Sequence, residues 1–170
     1  PLTGYEKAPV TNAGAWSTML TGVSPAKHNV ISEDFSGNRL DQYPSMVTRL
    51  KQAKGNLRTA VFGASSDFVS KLGADAAVSK TLAGNDAGVK DAVNEELQND
   101  AATFVIAQFH DVEVAGKAVG YKETTADYAN AILKMDAYIG EILGKLQARK
   151  TFAGENWLVV VASNKGGALS

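Results

Sequence analysis

The chain carries two histidines, His28 and His110, and no cysteine. Disulfides and thiolate zinc sites are therefore excluded, and any metal centre would rest on carboxylates. The remaining reactive side chains gather in three short stretches. Thr11 and Asn12 open an apolar-periodic segment that reads as a helix, and a helix N-terminus favours a developing alkoxide or a bound phosphate. His110, Asp111, Glu113 and Lys117 follow one apolar, β-branched run, and Ser163, Asn164 and Lys165 follow another. In open α/β sheets ligands collect where parallel strands end, so the two stretches that follow strands make a single candidate site. Each residue also has a plainer reading. His110 reads as a loop histidine bonded to backbone, since one imidazole without partners makes no zinc site. Glu33 and Asp34 read as solvated loop acids.

The elements that must position these groups are legible from periodicity. The run Leu158, Val159, Val160 and Val161, bounded by polar and glycine residues, predicts a buried parallel strand covered on both faces. Residues 11–22 predict a helix capped by Thr11 or Asn12, with Trp16, Met19 and Leu20 apolar and Gly22 as the stop. A second helix is expected over 41–53, with Asp41 as its cap and Met46, Val47 and Leu50 inward. Residues 57–64 and 103–109 read as strands. Ser65 or Ser66 caps a short helix with Phe68, Val69 and Leu72 inward, and 74–82 stays open between irregular chain and a short strand. Val89, Val93 and Leu97 mark a helix over 86–99. Residues 110–120 read as a loop. The pair Thr124 and Asp127 predicts a capping box opening the longest helix, 125–149, with Tyr128, Ile132, Met135, Ile139, Ile142, Leu143 and Leu146 on one stripe facing the sheet. This alternation argues for an α/β fold: a mostly parallel sheet with helices on both faces and the long helix as a right-handed crossover.

Composition bounds the partners. The 170 residues, 45% hydrophobic, fit a single domain with a real core. Seventeen basic residues against 18 acidic ones give no electrostatic reason to expect nucleic acid or an anionic membrane. No apolar run approaches the roughly 18 residues that a membrane-spanning helix needs. Residues 1–10 lack a strand pattern, whereas such a domain normally opens with a buried strand, so residues 1–170 are expected to be a domain fragment without the usual first strand and C-terminal part.

Three motifs carry a family resemblance. The strand followed by Ser163-Asn164-Lys165-Gly166-Gly167 resembles the Ser-Asp-His-Gly-Gly metal loop of the alkaline phosphatase superfamily, especially its type I phosphodiesterase/nucleotide pyrophosphatase branch. Thr21-Gly22, Pro25 and His28-Asn29-Val30 resemble that branch's Thr-Gly, Pro and His-Gly-Val or His-Gly-Ile series after the nucleophile helix. Residues 110–120, aligned on Ala115-Gly116, resemble its Asp-x-x-Gly-His-x-x-Gly loop. A looser likeness runs through Tyr128, Asp136 and Gly140.

The resemblance implies a three-layer sandwich with two metals at the sheet's carboxyl edge, and this chain departs from it at the site. Asn12 takes the nucleophile position, with Thr11 as the fallback hydroxyl, and Glu33 takes the place of a phosphate-contacting Asn. Glu113 and Lys117 replace the Asp and His of the second motif, and Asn164 and Lys165 replace the Asp-His pair of the third. An amide is no nucleophile, and a protonated lysine holds no metal. The implied function is therefore a domain that has lost metal-dependent hydrolysis and serves as a binding or scaffold module. Glu33, Lys117 and Lys165 would face its ligand, with no cofactor expected. The two lysines are expected to replace the lost positive charge by contacting Glu113, Asp111 or Glu33. The alternative is an active phosphoester or sulfate ester hydrolase using Thr11, Asp111 and Glu113 with zinc or another divalent metal. Small-molecule, glycan or protein partners and a periplasmic or cell-surface location follow from family habit.

Overall fold

The computed structural model describes residues 11–122 and 124–166; the approach segment 1–10 lies outside them. Helix α1 (Asn12–Thr21) starts at Thr11, whose hydroxyl accepts from the Gly14 amide, and stops at Gly22 in the left-handed conformation. A single helical turn, α2 (Pro25–His28), ends at Asn29, also left-handed. Helix α3 (Met46–Ala53) is shorter than the expected 41–53. Pro44 keeps the residue before it out of helical geometry, and Ser45, not Asp41, caps the helix through its bond from the Thr48 amide.

Strand β1 (Arg58–Gly63) is followed by α4 (Ser66–Leu72), capped by Ser65. The undecided stretch after it contains a short strand, β2 (Val78–Thr81). Helix α5 (Asp86–Glu96) and strand β3 (Ala102–Gln108) come next. The sheet has the order β2-β1-β3 and is parallel throughout. Its central strand alternates between two cores, as period-2 geometry requires. Val61 packs with Ala13, Val30, Val47 and Phe68 on one face, while Ala60 and Phe62 pack with Val89, Val93, Leu97 and Leu146 on the other. Helices thus cover both faces, as the alternation of elements predicts.

Three expectations need correction. Residues 110–120 are not a loop: Asp111–Val119 forms helix α6. The buried carboxylate of Asp86 accepts from the His110 and Asp111 amides, and Asp111 and Glu113 lie in the first turn, so an anion and two acidic residues sit at the positive end of the helix. The longest helix, α7 (Ala126–Gln147), starts at Thr125, which makes no side-chain capping bond, so the Thr124 capping box does not form. The third concerns 158–161, which joins no strand among the described residues. Its four apolar residues are 48–85% exposed, against the expected burial. β-Branched residues favour extended chain, but a buried strand also needs a paired neighbour, and among the described residues β3 pairs only with β1. Among the described residues no helix is long and apolar enough to cross a membrane.

Arg149 ties the end of α7 to the amino edge of the sheet. Its nearly buried guanidinium donates to the carbonyls of Leu97, Asn99 and Asp100 and forks onto Glu155, satisfying the charge that burial would otherwise make costly.

Candidate functional site

The start of α1, the end of β3, helix α6 and the 163–166 turn meet at one cleft of about 320 Å³. Asn12, Glu33, Glu113, Lys117 and Asn164 line it, and Lys165 reaches Glu113 from the turn. Residues up to 152 positions apart are in contact here, since Asn164 Nδ2 donates to Asn12 Oδ1 at 2.9 Å. The aromatic walls are Trp16 and Phe109.

Glu33, Glu113 and Lys117 in the cleft each have a partner from the protein itself, whereas Asp67, also in its wall, has none among the described residues. Glu33 spends both oxygens on the first turn of α1, accepting from the Asn12 amide at 2.8 Å and the Ala13 amide at 3.0 Å. Those are orphan donors at the positive end of the helix, the seat that an anion would otherwise take. Glu33, exposed as a loop acid should be, is therefore also a clamp on α1. The residue 163–166 turn is pinned beside it by the Asn12–Asn164 bond.

Glu113 is the centre of charge. Lys117 approaches its Oε1 at 3.1 Å, Lys165 at 3.0 Å, and the Tyr121 hydroxyl donates to Oε2 at 2.9 Å. The two ammonium groups meet Oε1 by charge, off the hydrogen-bond direction. Burial pushes the Glu113 carboxyl up, but Lys165, Lys117 and Tyr121 together outweigh it and hold it at about 2. Burial, with Glu113 beside it, pushes the Tyr121 hydroxyl up to about 12. Helix α6 makes this arrangement possible, because Glu113 and Lys117 stand four residues apart on one helical face. A loop would not have fixed that spacing.

Thr11, the adjacent hydroxyl, accepts from the Gly14 amide at 2.9 Å as the cap of α1 and does not line the cleft. A Cβ at Gly14 would stand 2.9 Å from both that hydroxyl oxygen and the Val30 carbonyl oxygen, so glycine lets the 28–30 segment approach the helix. His28 is fully buried there. Its Nδ1 accepts from the Val30 amide, so the ring proton is assigned to Nε2, 3.0 Å from Thr18 Oγ1. Burial lowers its pKa. It is a neutral pin for the loop that carries Glu33.

His110 borders the cleft, and its Nδ1 lies 3.3 Å from Asp86 and 3.5 Å from Asp111. One ligand atom from each of these three residues falls within a 4.8 Å group, a spacing compatible with a metal. The donor chemistry is not. Asp86 gives both oxygens to the amides that start α6, and Asp111 is paired with Lys134 at 3.1 Å. Two zinc ions at the positions implied by the family motifs fit no better. Those positions hold two ammonium groups, two amides bonded to each other, and one carboxylate already engaged by three donors.

Residue-by-residue reading passed over Asp86, because an Asp opening a helix reads as a cap of its own helix and not of another. It also passed over Gln108, whose amide oxygen accepts from the Ser65 amide at 2.9 Å and ties the carboxyl ends of β1 and β3 together beside the cleft. Only its place as the last residue of β3 hinted at that role. Compared with known proteins, the chain matches no family model and no curated protein sequence.

Proposed function

We propose that the chain is a phosphodiesterase-like α/β domain, related to the alkaline phosphatase superfamily, that has lost metal-dependent hydrolysis and works as a binding or scaffold module. One observation carries this reading: the groups that would hold metals and phosphate are neutralised from within. Glu113 is compensated by Lys117 and Lys165, and the α1 N-terminus by Glu33. In a low-dielectric cleft, two carboxylates without cations would cost several kcal/mol or take up protons. Lysine side chains supply that charge permanently, whereas metals would have to be acquired. What remains for a ligand is a polar cleft with amide and acidic groups beside Trp16 and Phe109, suited to a small molecule, a glycan or a protein loop.

The alternative, an active phosphoester or sulfate ester hydrolase, needs Thr11 to leave its cap and Glu113 to leave two lysines. Turnover of a generic aryl phosphodiester and the matching aryl sulfate, with and without added zinc, tests the choice. The proposal expects no turnover above the buffer rate. Metal-dependent turnover that is lost in Glu113→Gln would overturn it.

A further inference from the structure

In the cleft Glu33 is spent on α1 and Glu113 on two lysines, but the neutral polar groups keep unused bonding capacity. The Asn12–Asn164 bond takes one hydrogen of Asn164 Nδ2 and one side of Asn12 Oδ1. Among the described residues Asn12 Nδ2 and Asn164 Oδ1 bond nothing, so the pair presents a donor and an acceptor from adjoining side chains. Turning both amides over exchanges these roles and still leaves one of each. Elsewhere in the lining, Ser65 Oγ accepts from the Phe68 amide and keeps its own hydroxyl proton, and Asp67, in the first turn of α4, has an exposed carboxylate with no partner among the described residues. Gln108, in contrast, uses both ends of its amide, on the Ser65 amide and the Phe109 carbonyl, and so holds those two residues in place.

The apolar wall is fixed as well. The Trp16 ring stands edge-to-face with Phe68, centroids 5.2 Å apart at 76°, yet Trp16 is only half-buried and lines the cleft together with Phe109. These features select among ligands. An anion would meet the Glu33 and Asp67 carboxylates, and the α1 amides that could receive it are already taken by Glu33. A cation would meet Lys117. A wholly apolar ligand would leave the Asn12 and Asn164 groups covered and unsatisfied, which is costly. An uncharged ring bearing several hydroxyls meets every condition. Each hydroxyl both donates and accepts, so neighbouring hydroxyls can accept from Asn12 and donate to Asn164 and Asp67, while the C–H face of the ring lies on the aromatic side chain. The volume of about 320 Å³ is at the lower end of the roughly 300–1,000 Å³ of small-molecule sites, which suits a single sugar or the end of a chain.

We propose that the cleft binds an uncharged pyranose, with its hydroxyls on Asn12, Asn164 and Asp67 and one ring face on Trp16. This rests on the reading of the cleft as a binding site and narrows its ligand to one chemical class.

The probes are the methyl pyranosides of glucose, galactose and mannose, with N-acetylglucosamine and, as an anionic control, glucuronate, each titrated through the millimolar range and followed by proton–nitrogen correlation NMR. At least one uncharged sugar should bind with a millimolar or lower Kd. It should shift the side-chain amide signals of Asn12 and Asn164 and the indole signal of Trp16, while that of Trp157 stays in place. Glucuronate should bind about tenfold more weakly, and Asn164→Ala and Asp67→Ala should each weaken sugar binding by about tenfold, the loss of one hydrogen bond. Asp67 bonds no other described side chain, so its variant reads the ligand contact apart from any loosening of the 163–166 turn in Asn164→Ala. Binding of none of the uncharged sugars, shifts that spare Asn12, Asn164 and Trp16, equal binding of glucuronate, or unchanged affinity in Asp67→Ala overturns the proposal. The aryl phosphodiester assay separates this from the loss of hydrolysis. Absence of both sugar binding and turnover overturns the pyranose assignment alone, whereas metal-dependent turnover with sugar binding intact overturns only the loss of hydrolysis.

Discussion

Lys165→Met removes the ammonium that meets Glu113 at 3.0 Å from a side chain only 19% exposed. The carboxyl is held at about 2 against an ordinary 4.5, a difference equivalent to about 3 kcal/mol of stability at neutral pH if all of it counted. Part belongs to Lys117, whose side chain is 62% exposed and whose pairing solvent screens. The loss from Lys165→Met is therefore put at about 1–2 kcal/mol, or roughly 3–6 °C in Tm for a domain of this size. The sign of the pH dependence follows from the lowered carboxyl. Its contribution is complete above the ordinary value of 4.5 and is lost as pH falls toward 2. In the variant, burial is opposed by fewer cations, Glu113 titrates higher, and stability falls less steeply across that window. Urea melts of the wild type, Lys165→Met, Glu113→Gln and the double variant at several pH values between 7 and 3 measure both effects. Lys165→Arg should restore most of the loss. Unchanged melting and an unchanged acid slope in Lys165→Met would refute the reasoning, as would additive effects in the double variant.

Two further outcomes follow from buried groups around the cleft. Asp86→Ala deprives the His110 and Asp111 amides of their acceptor, so a loss of about 2–4 kcal/mol in chemical denaturation is expected, with exchange rising first in α6. His28 has a lowered pKa from burial, so its contribution is present above its ordinary value near 6.5 and lost as pH falls below it; His28→Gln should flatten the stability profile between pH 7 and 5.

Much of the fold was legible because it rests on local signals. Ser65, Val89, Val93 and Leu97 announced their elements through capping chemistry and helical period, and Val61 and Phe62 through β-propensity. The convergence of Asn12 with Asn164 was expected from the family resemblance alone, and the two residues do meet although 158–161 joins no strand among the described residues. What escaped was decided by partners far away in sequence. The helix at 111–119 depends on Asp86 from another element, and nothing within 110–120 reveals that cap. The 158–161 run has the composition of a buried strand, yet burial depends on neighbours that the run does not contain. Glu33 is exposed, as a solvated loop acid should be, and its added role as a clamp on α1 escaped because a surface carboxylate and a helix clamp have the same sequence signature.

The most direct test of internal charge replacement is zinc stoichiometry. The protein is incubated with excess zinc at neutral pH, desalted, and analysed for bound metal by native mass spectrometry, beside Glu113→Gln and the double variant Lys117→Met with Lys165→Met. The account predicts that the wild type retains no stoichiometric zinc, because Glu113 is already engaged by two ammonium groups and a phenol. One or two equivalents retained by the wild type and lost in Glu113→Gln would contradict it.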